Sequence, residues 1–100
     1  MNWKLTDTER WAESHPNTFE IPPVEERTAL HVGDVAKVIF ESKASEVMSE
    51  RMWIVVTEVH EPGKYTGEVD SHAMCNPELP RLGDLIQFEA KHIMQMIRMT

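Results

Sequence analysis

The hydrophobic pattern of the chain changes character at Leu30, where period-two alternation of apolar and polar residues begins. Such alternation marks strands with one face on a core. Val35 to Glu41 is rich in β-branched and aromatic residues and puts Ala36, Val38 and Phe40 on one face. Met52 to His60 is the strongest strand, with Met52, Ile54 and Val56 on one face and Trp53, Val55 and Val59 on the other. Apolar residues on both faces predict a central strand. Pro62-Gly63 predicts a type II turn, glycine supplying the positive φ. Lys64 to Asp70 then alternates, with Tyr65, Gly67 and Val69 inward and Thr66 and Glu68 outward. Leu85 to Glu89 predicts a fourth strand with Ile86 and Phe88 inward. Ala90-Lys91-His92 predicts one helical turn, and Ile93 to Ile97 a last strand, although the same residues also fit a short helix. The polar stretch 42–50 and the stretch Ser71 to Arg81, broken by Pro77 and Pro80, predict loops.

Residues 6–14 predict a short helix: Thr6 and Glu9 have capping-box spacing, Asp7 adds charge to the first turn, and His15-Pro16 ends it. Apart from Ala12, only Trp11 offers an apolar contact, so this helix must dock to persist. Trp3 and Trp11 either cover the domain or form an exposed patch for a partner. Residues 15–29 read as a linker with Pro16, Pro22, Pro23 and the acidic pair Glu25-Glu26, pinned to the core by Phe19 and Ile21. The expected organisation is an N-terminal helix and proline-containing linker over 1–29 and a barrel-like domain over 30–100, forming one folding unit. The expected fold is mainly β: a small SH3-like barrel of about five strands with a short N-terminal helix, since closure removes exposed edges. The alternative is an α+β open antiparallel sheet with one packed helix. Val32-Gly33-Asp34-Val35 and Leu82-Gly83-Asp84-Leu85 repeat one form fifty residues apart, each before a strand. Both predict turns; a phosphate loop needs more glycines and a following helix.

Composition is that of an ordinary globular domain, 41% hydrophobic and 27% charged. The net charge of −7 matters more. Ten basic residues against seventeen acidic ones, without a Lys/Arg cluster, argue against nucleic acid and anionic membranes. They suit a basic partner. The single cysteine, Cys75, forbids an intrachain disulfide. With no signal-like apolar run near Met1 and no stretch approaching the ~20 residues that span a bilayer, a cytoplasmic location is expected.

Candidate chemistry is sparse. His72 and Cys75 lie three apart near Asp70; they could form a reactive thiolate pair or, with His60, ligate zinc. The same residues equally describe a polar loop with an incidental thiol, because the Cys or His pairs of strong zinc motifs are missing. The five histidines make no i, i+4 pair. Glu58, His60 and Glu61 form either an acid–base group or a solvated strand end. No catalytic residue, metal ligand or cofactor is assigned. Trp53, Tyr65, Phe40 and Phe88 are expected in the core rather than along a peptide groove. Arg51 either pairs with a carboxylate or stacks on Trp53. The tail of Ile93, Met94, Met96, Ile97 and Met99 packs on the core or supports a weak homodimer.

One ordered series of residues resembles a known family: Thr18-Phe19, Ile21-Pro22, Leu30, Val32-Gly33-Asp34, Ala36-Lys37, Ile39-Phe40-Glu41, Glu50-Arg51-Met52-Trp53, Val55-Val56-Thr57-Glu58-Val59, Tyr65-Thr66-Gly67, Val69-Asp70, Leu82-Gly83-Asp84, Phe88 and His92-Ile93. Over residues 18–97 this is similar to the YegJ-like family, small bacterial proteins grouped as a domain of unknown function. Glu-Arg-Met-Trp before the strand is its most specific element. Ser71-His72-Ala73-Met74-Cys75 departs from the Asn-x-Pro stretch that follows the equivalent of Asp70 in that family. The resemblance implies a domain extent and carries no reaction, cofactor or partner. The residues therefore favour a non-enzymatic protein-interaction module, monomeric or weakly dimeric, in its narrower form immunity- or antitoxin-like, with Arg51, Trp53, Trp11, Asp70 and His72 as candidate binding residues. The alternative is a small-molecule or metal-binding protein or enzyme centred on the 70–75 loop. Nucleic-acid binding is a third class, resting only on the habits of small barrels.

Overall fold

A computed structural model of the chain describes residues 3–42, 49–71 and 79–99. His72 and Cys75 lie outside the described residues. The elements are β1 (Trp3–Leu5), α1 (Thr8–Ser14), α2 (Val24–Arg27), β2 (Val35–Ser42), β3 (Ser49–Glu61), β4 (Lys64–Val69), β5 (Leu85–Glu89), a 3₁₀ turn (Ala90–His92) and β6 (Ile93–Ile97). The chain is mainly β, and every ladder is antiparallel. The order is β1-β2-β3-β4-β5, with β6 also on β2. β6 takes the Val35–Val38 half of one β2 edge and β1 takes Phe40–Ser42 of the same edge. β5 and β6 are consecutive, interrupted only by the 3₁₀ turn. The sheet therefore curls back on itself in an SH3-like half-barrel, but among the described residues β1 and β5 do not pair, so closure does not remove every edge.

The long strand β3 makes this possible. It pairs with β2 through Ser49–Val55 and with β4 through Ile54–Glu61, with register shifts between Val56 and Glu58 and between Val59 and Glu61. Each bulge bends the strand and adds twist. The alternation expected from sequence is realised inside the curl: Ala36, Val38 and Phe40; Met52, Ile54 and Val56; Tyr65 and Val69; Ile86 and Phe88 are all buried. The other face of β3 differs from expectation. Trp53 and Val55 are half-buried and Val59 is exposed. β3 is central in pairing, but a curled sheet has only one interior, so the outer face stays near solvent.

Three features of the N-terminal segment correct the sequence reading. Trp3–Leu5 is a strand, and Trp3 meets Phe40 edge-on with centroids 5.1 Å apart. The helix starts at Thr8, because Asp7 is its N-cap, accepting from the Arg10 N–H at 3.2 Å, while the Thr6 hydroxyl donates to Glu41. Residues 15–29 are not linker throughout: α2 follows Pro22-Pro23, with Glu25 and Glu26 in its first turn. Proline sets a helical φ at entry, and carboxylates suit a helix N-terminus.

The buried guanidinium of Arg27, 5% exposed, ties this segment to the barrel. It donates to the Pro22 carbonyl at 2.7 Å, the Glu9 carboxylate at 2.7 Å and the Ala90 carbonyl at 2.9 Å. The Arg27 carbonyl accepts from the Tyr65 hydroxyl at 2.7 Å, which in turn accepts from the Leu30 N–H at 3.2 Å. From α1, the Thr8 hydroxyl lies 2.8 Å from the Lys91 carbonyl and 2.9 Å from that of Ile93.

The repeated Gly-Asp segments are a repeated turn, as expected. Gly33 and Gly83 have φ of 96° and 93°, which a Cβ would strain. Each aspartate accepts from the N–H three residues back, Asp34 from His31 and Asp84 from Arg81, both at 2.8 Å. Each turn also exchanges two backbone bonds with one strand residue, Val56 for the first and Val69 for the second. The copies differ in burial. Asp34 is buried and also accepts from the Met99 N–H at 3.0 Å, fastening the C-terminal end. Burial pushes its carboxyl up, but the His31 and Met99 N–H groups, with His31 and Arg98 nearby, more than offset this and hold it below the usual range.

Candidate functional site

The sequence-predicted site residues come together only in part. Arg51 and Trp53 alternate onto the outer face of β3, and the Asp70 N–H donates to the Trp53 carbonyl at 2.8 Å, so these three are neighbours. Lys37, not Arg51, lies over the Trp53 ring, 5.2 Å from its centroid. Trp11 is elsewhere, on α1, which packs against the 3₁₀ turn; it is 47% exposed and stacks on His15 with centroids 4.6 Å apart. His60 is seven residues along β3 from Trp53, roughly 20 Å at about 3.3 Å per residue. It therefore does not join Asp70. Instead its Nε2 is 2.7 Å from the Thr66 hydroxyl and its Nδ1 3.9 Å from Glu58. Among the described residues, no three His, Cys, Asp or Glu side chains are grouped to hold a metal ion.

Two concavities among the described residues lie on either side of β5, which sequence reasoning did not single out. One cavity of about 450 Å³ separates β1 from β5, with Trp3 and Leu5 on one wall and Leu85 and Gln87 on the other. A second, of about 520 Å³, is bounded by His60, Lys64 and Glu89. Gln87 and His92 belong to both. Volumes of this size are ordinary for ligand pockets. One signal was present in the chain: Leu85 sits at an outward position of an alternating strand and is 66% exposed.

His92 closes the end of both cavities. Its Nδ1 accepts from the Glu89 N–H at 2.9 Å, so the neutral ring carries its proton on Nε2. Burial, then the adjacent Lys91 ammonium, hold its pKa below the ordinary 6.5; Glu89, Asp7 and Glu9 oppose this. The unfolded chain thus binds this proton more readily than the folded one. Stability is unaffected above the ordinary histidine value and falls as pH drops below it. Urea unfolding is expected to show a lower midpoint at about pH 5.5 than at about pH 7.5, with a smaller difference in His92→Gln. An identical difference in that variant would clear His92 of the effect.

Comparison of the chain with protein-family models, with curated proteins and with solved structures found no match.

Proposed function

We propose that this chain is a non-enzymatic protein-interaction module for a basic partner, with an immunity- or antitoxin-type role as its narrower form. The observation that supports it best is the pair of adjoining cavities flanking an exposed strand, in a molecule of net charge −7. Complementary charge speeds and selects such an encounter. Among the described residues, no helix is long and apolar enough to cross a membrane. A cytoplasmic location and a monomer or weak homodimer belong to the same proposal.

The test is capture by the immobilised full chain from the lysate of its source organism, followed by calorimetry with the purified partner. One dominant basic protein that binds saturably and is released as salt rises supports the module. Empty capture, or binding indifferent to salt, sinks it. Zinc titration then examines the loop of Asp70, His72 and Cys75.

A further inference from the structure

We infer that the free edge of β5 is a strand-addition site for an extended, basic segment of a partner protein; this rests on the interaction-module reading above. Among the described residues, β5 pairs with β4 alone. The Val69 N–H donates to Asp84 and the Ala90 N–H to Gly63, both at 2.9 Å. These pairs share the register of Tyr65↔Phe88 and Gly67↔Ile86. In an antiparallel ladder, hydrogen-bonded and non-hydrogen-bonded pairs alternate. Ile86 and Phe88 therefore bond β4, while the backbone groups of Leu85, Gln87 and Glu89 point away from it. His92 takes the Glu89 N–H. The N–H and C=O groups of Leu85 and Gln87 have no partner among the described residues.

The opposite wall has the same character. The Thr6 N–H donates to Ile39 at 2.9 Å, so Lys4 is the bonded residue of β1 and the backbone groups of Trp3 and Leu5 point outward. The cavity of about 450 Å³ thus lies between two unpaired strand edges. Natural sheets blunt such edges with lysine, proline or a bulge. β5 has none of these: it reads Leu-Ile-Gln-Phe-Glu and its register with β4 is unbroken.

The edge also states the chemistry of its occupant. Positions opposite Ile86 and Phe88 face inward, toward Leu5 and Trp3, and require apolar residues. The position opposite Glu89 faces outward beside an exposed carboxylate, and it favours lysine or arginine. The occupant is an extended segment alternating apolar and basic residues.

The experiment adds a capped peptide of alternating valine and lysine to the full-length protein and follows amide exchange by NMR. The Leu85 and Gln87 amides are expected to exchange freely alone and to gain at least about tenfold protection with the peptide. Gln87→Pro removes a donor of the free edge without removing one from the β4 ladder. It should weaken peptide binding about tenfold or more, while Gln87→Ala, which keeps the N–H, should not. Thermal melts of both variants separate lost binding from lost folding. The inference is overturned if the peptide fails to bind at millimolar concentration, if it binds without protecting these amides, or if folded Gln87→Pro binds it as wild type does. Protection that rises with protein concentration, without peptide, would instead assign the edge to a second copy and overturn the partner. A salt-sensitive basic protein captured equally by wild type and Gln87→Pro would leave the interaction module standing and remove only the strand-addition site.

Discussion

Arg27→Ala is expected to lower the unfolding free energy by about 3 kcal/mol, the upper range for leaving a buried polar group unsatisfied. For a domain of this size that is a fall of roughly 15 °C in Tm. The cause is the set of groups left behind. The carbonyls of Pro22 and Ala90 each lose a charged donor, and Ala90 begins the 3₁₀ turn that links β5 to β6. Orphaning buried acceptors costs more than the net worth of the bonds they made. The ion pair with Glu9 contributes less, because the Glu9 side chain is 42% exposed and solvent screens it. Glu9→Gln should therefore cost under about 1 kcal/mol. Arg27→Lys should fall between the two, since a point charge cannot reach three acceptors as a guanidinium fork does. Denaturant titration of the three variants tests this. Equal small losses would show that the N-terminal segment is held by other contacts.

Gly67→Ala is expected to destabilise by about 3 kcal/mol, the upper range for overpacking. A Cβ at Gly67 would lie 2.3 Å from Ile54 Cγ2, 2.8 Å from the Val55 carbonyl oxygen and 3.0 Å from the Phe88 ring. The side chains can shift only by disturbing the core. The carbonyl belongs to β3, the strand paired with β4, and moves only if the ladder parts. Gly33→Ala is the informative contrast. Nothing lies within 4 Å of its Cβ, but its φ of +96° strains any other residue. Its cost should be about 1–2 kcal/mol and purely conformational. Urea unfolding of both variants decides. A Gly67→Ala loss no larger than that of Gly33→Ala would mean that the sheet yields there at little cost.

Most strands were legible because each of their inward residues reports a local choice. Tyr65, Gly67 and Val69, or Ile86 and Phe88, announce one buried face by alternation alone, and the Ala90–His92 turn follows from the break between two such runs. The Gly-Asp turns were legible for a similar reason: φ and the aspartate cap are properties of four adjacent residues. Trp3–Leu5 was not legible, since three residues carry no period and the strand exists only where Phe40–Ser42 offers an edge. α2 was hidden by its prolines and its length of four residues. Trp53 was misplaced because a hydrophobic outer face looks the same in sequence as an inner one.

The candidate site divides the same way. The chain by itself determined its strand faces, its turns, its net charge of −7, and an out-of-place leucine at position 85. Only the tertiary structure decided that His60 stands far from Asp70, that Arg27 is buried beneath the helices, and that β1 and β5 confront each other with unpaired edges. Alternation, caps and charge count are summed over neighbours in sequence. A salt bridge between Glu9 and Arg27, or a gap between Leu5 and Gln87, depends on how far the sheet curls, and that is set by the bulges of β3 and the packing of the whole core.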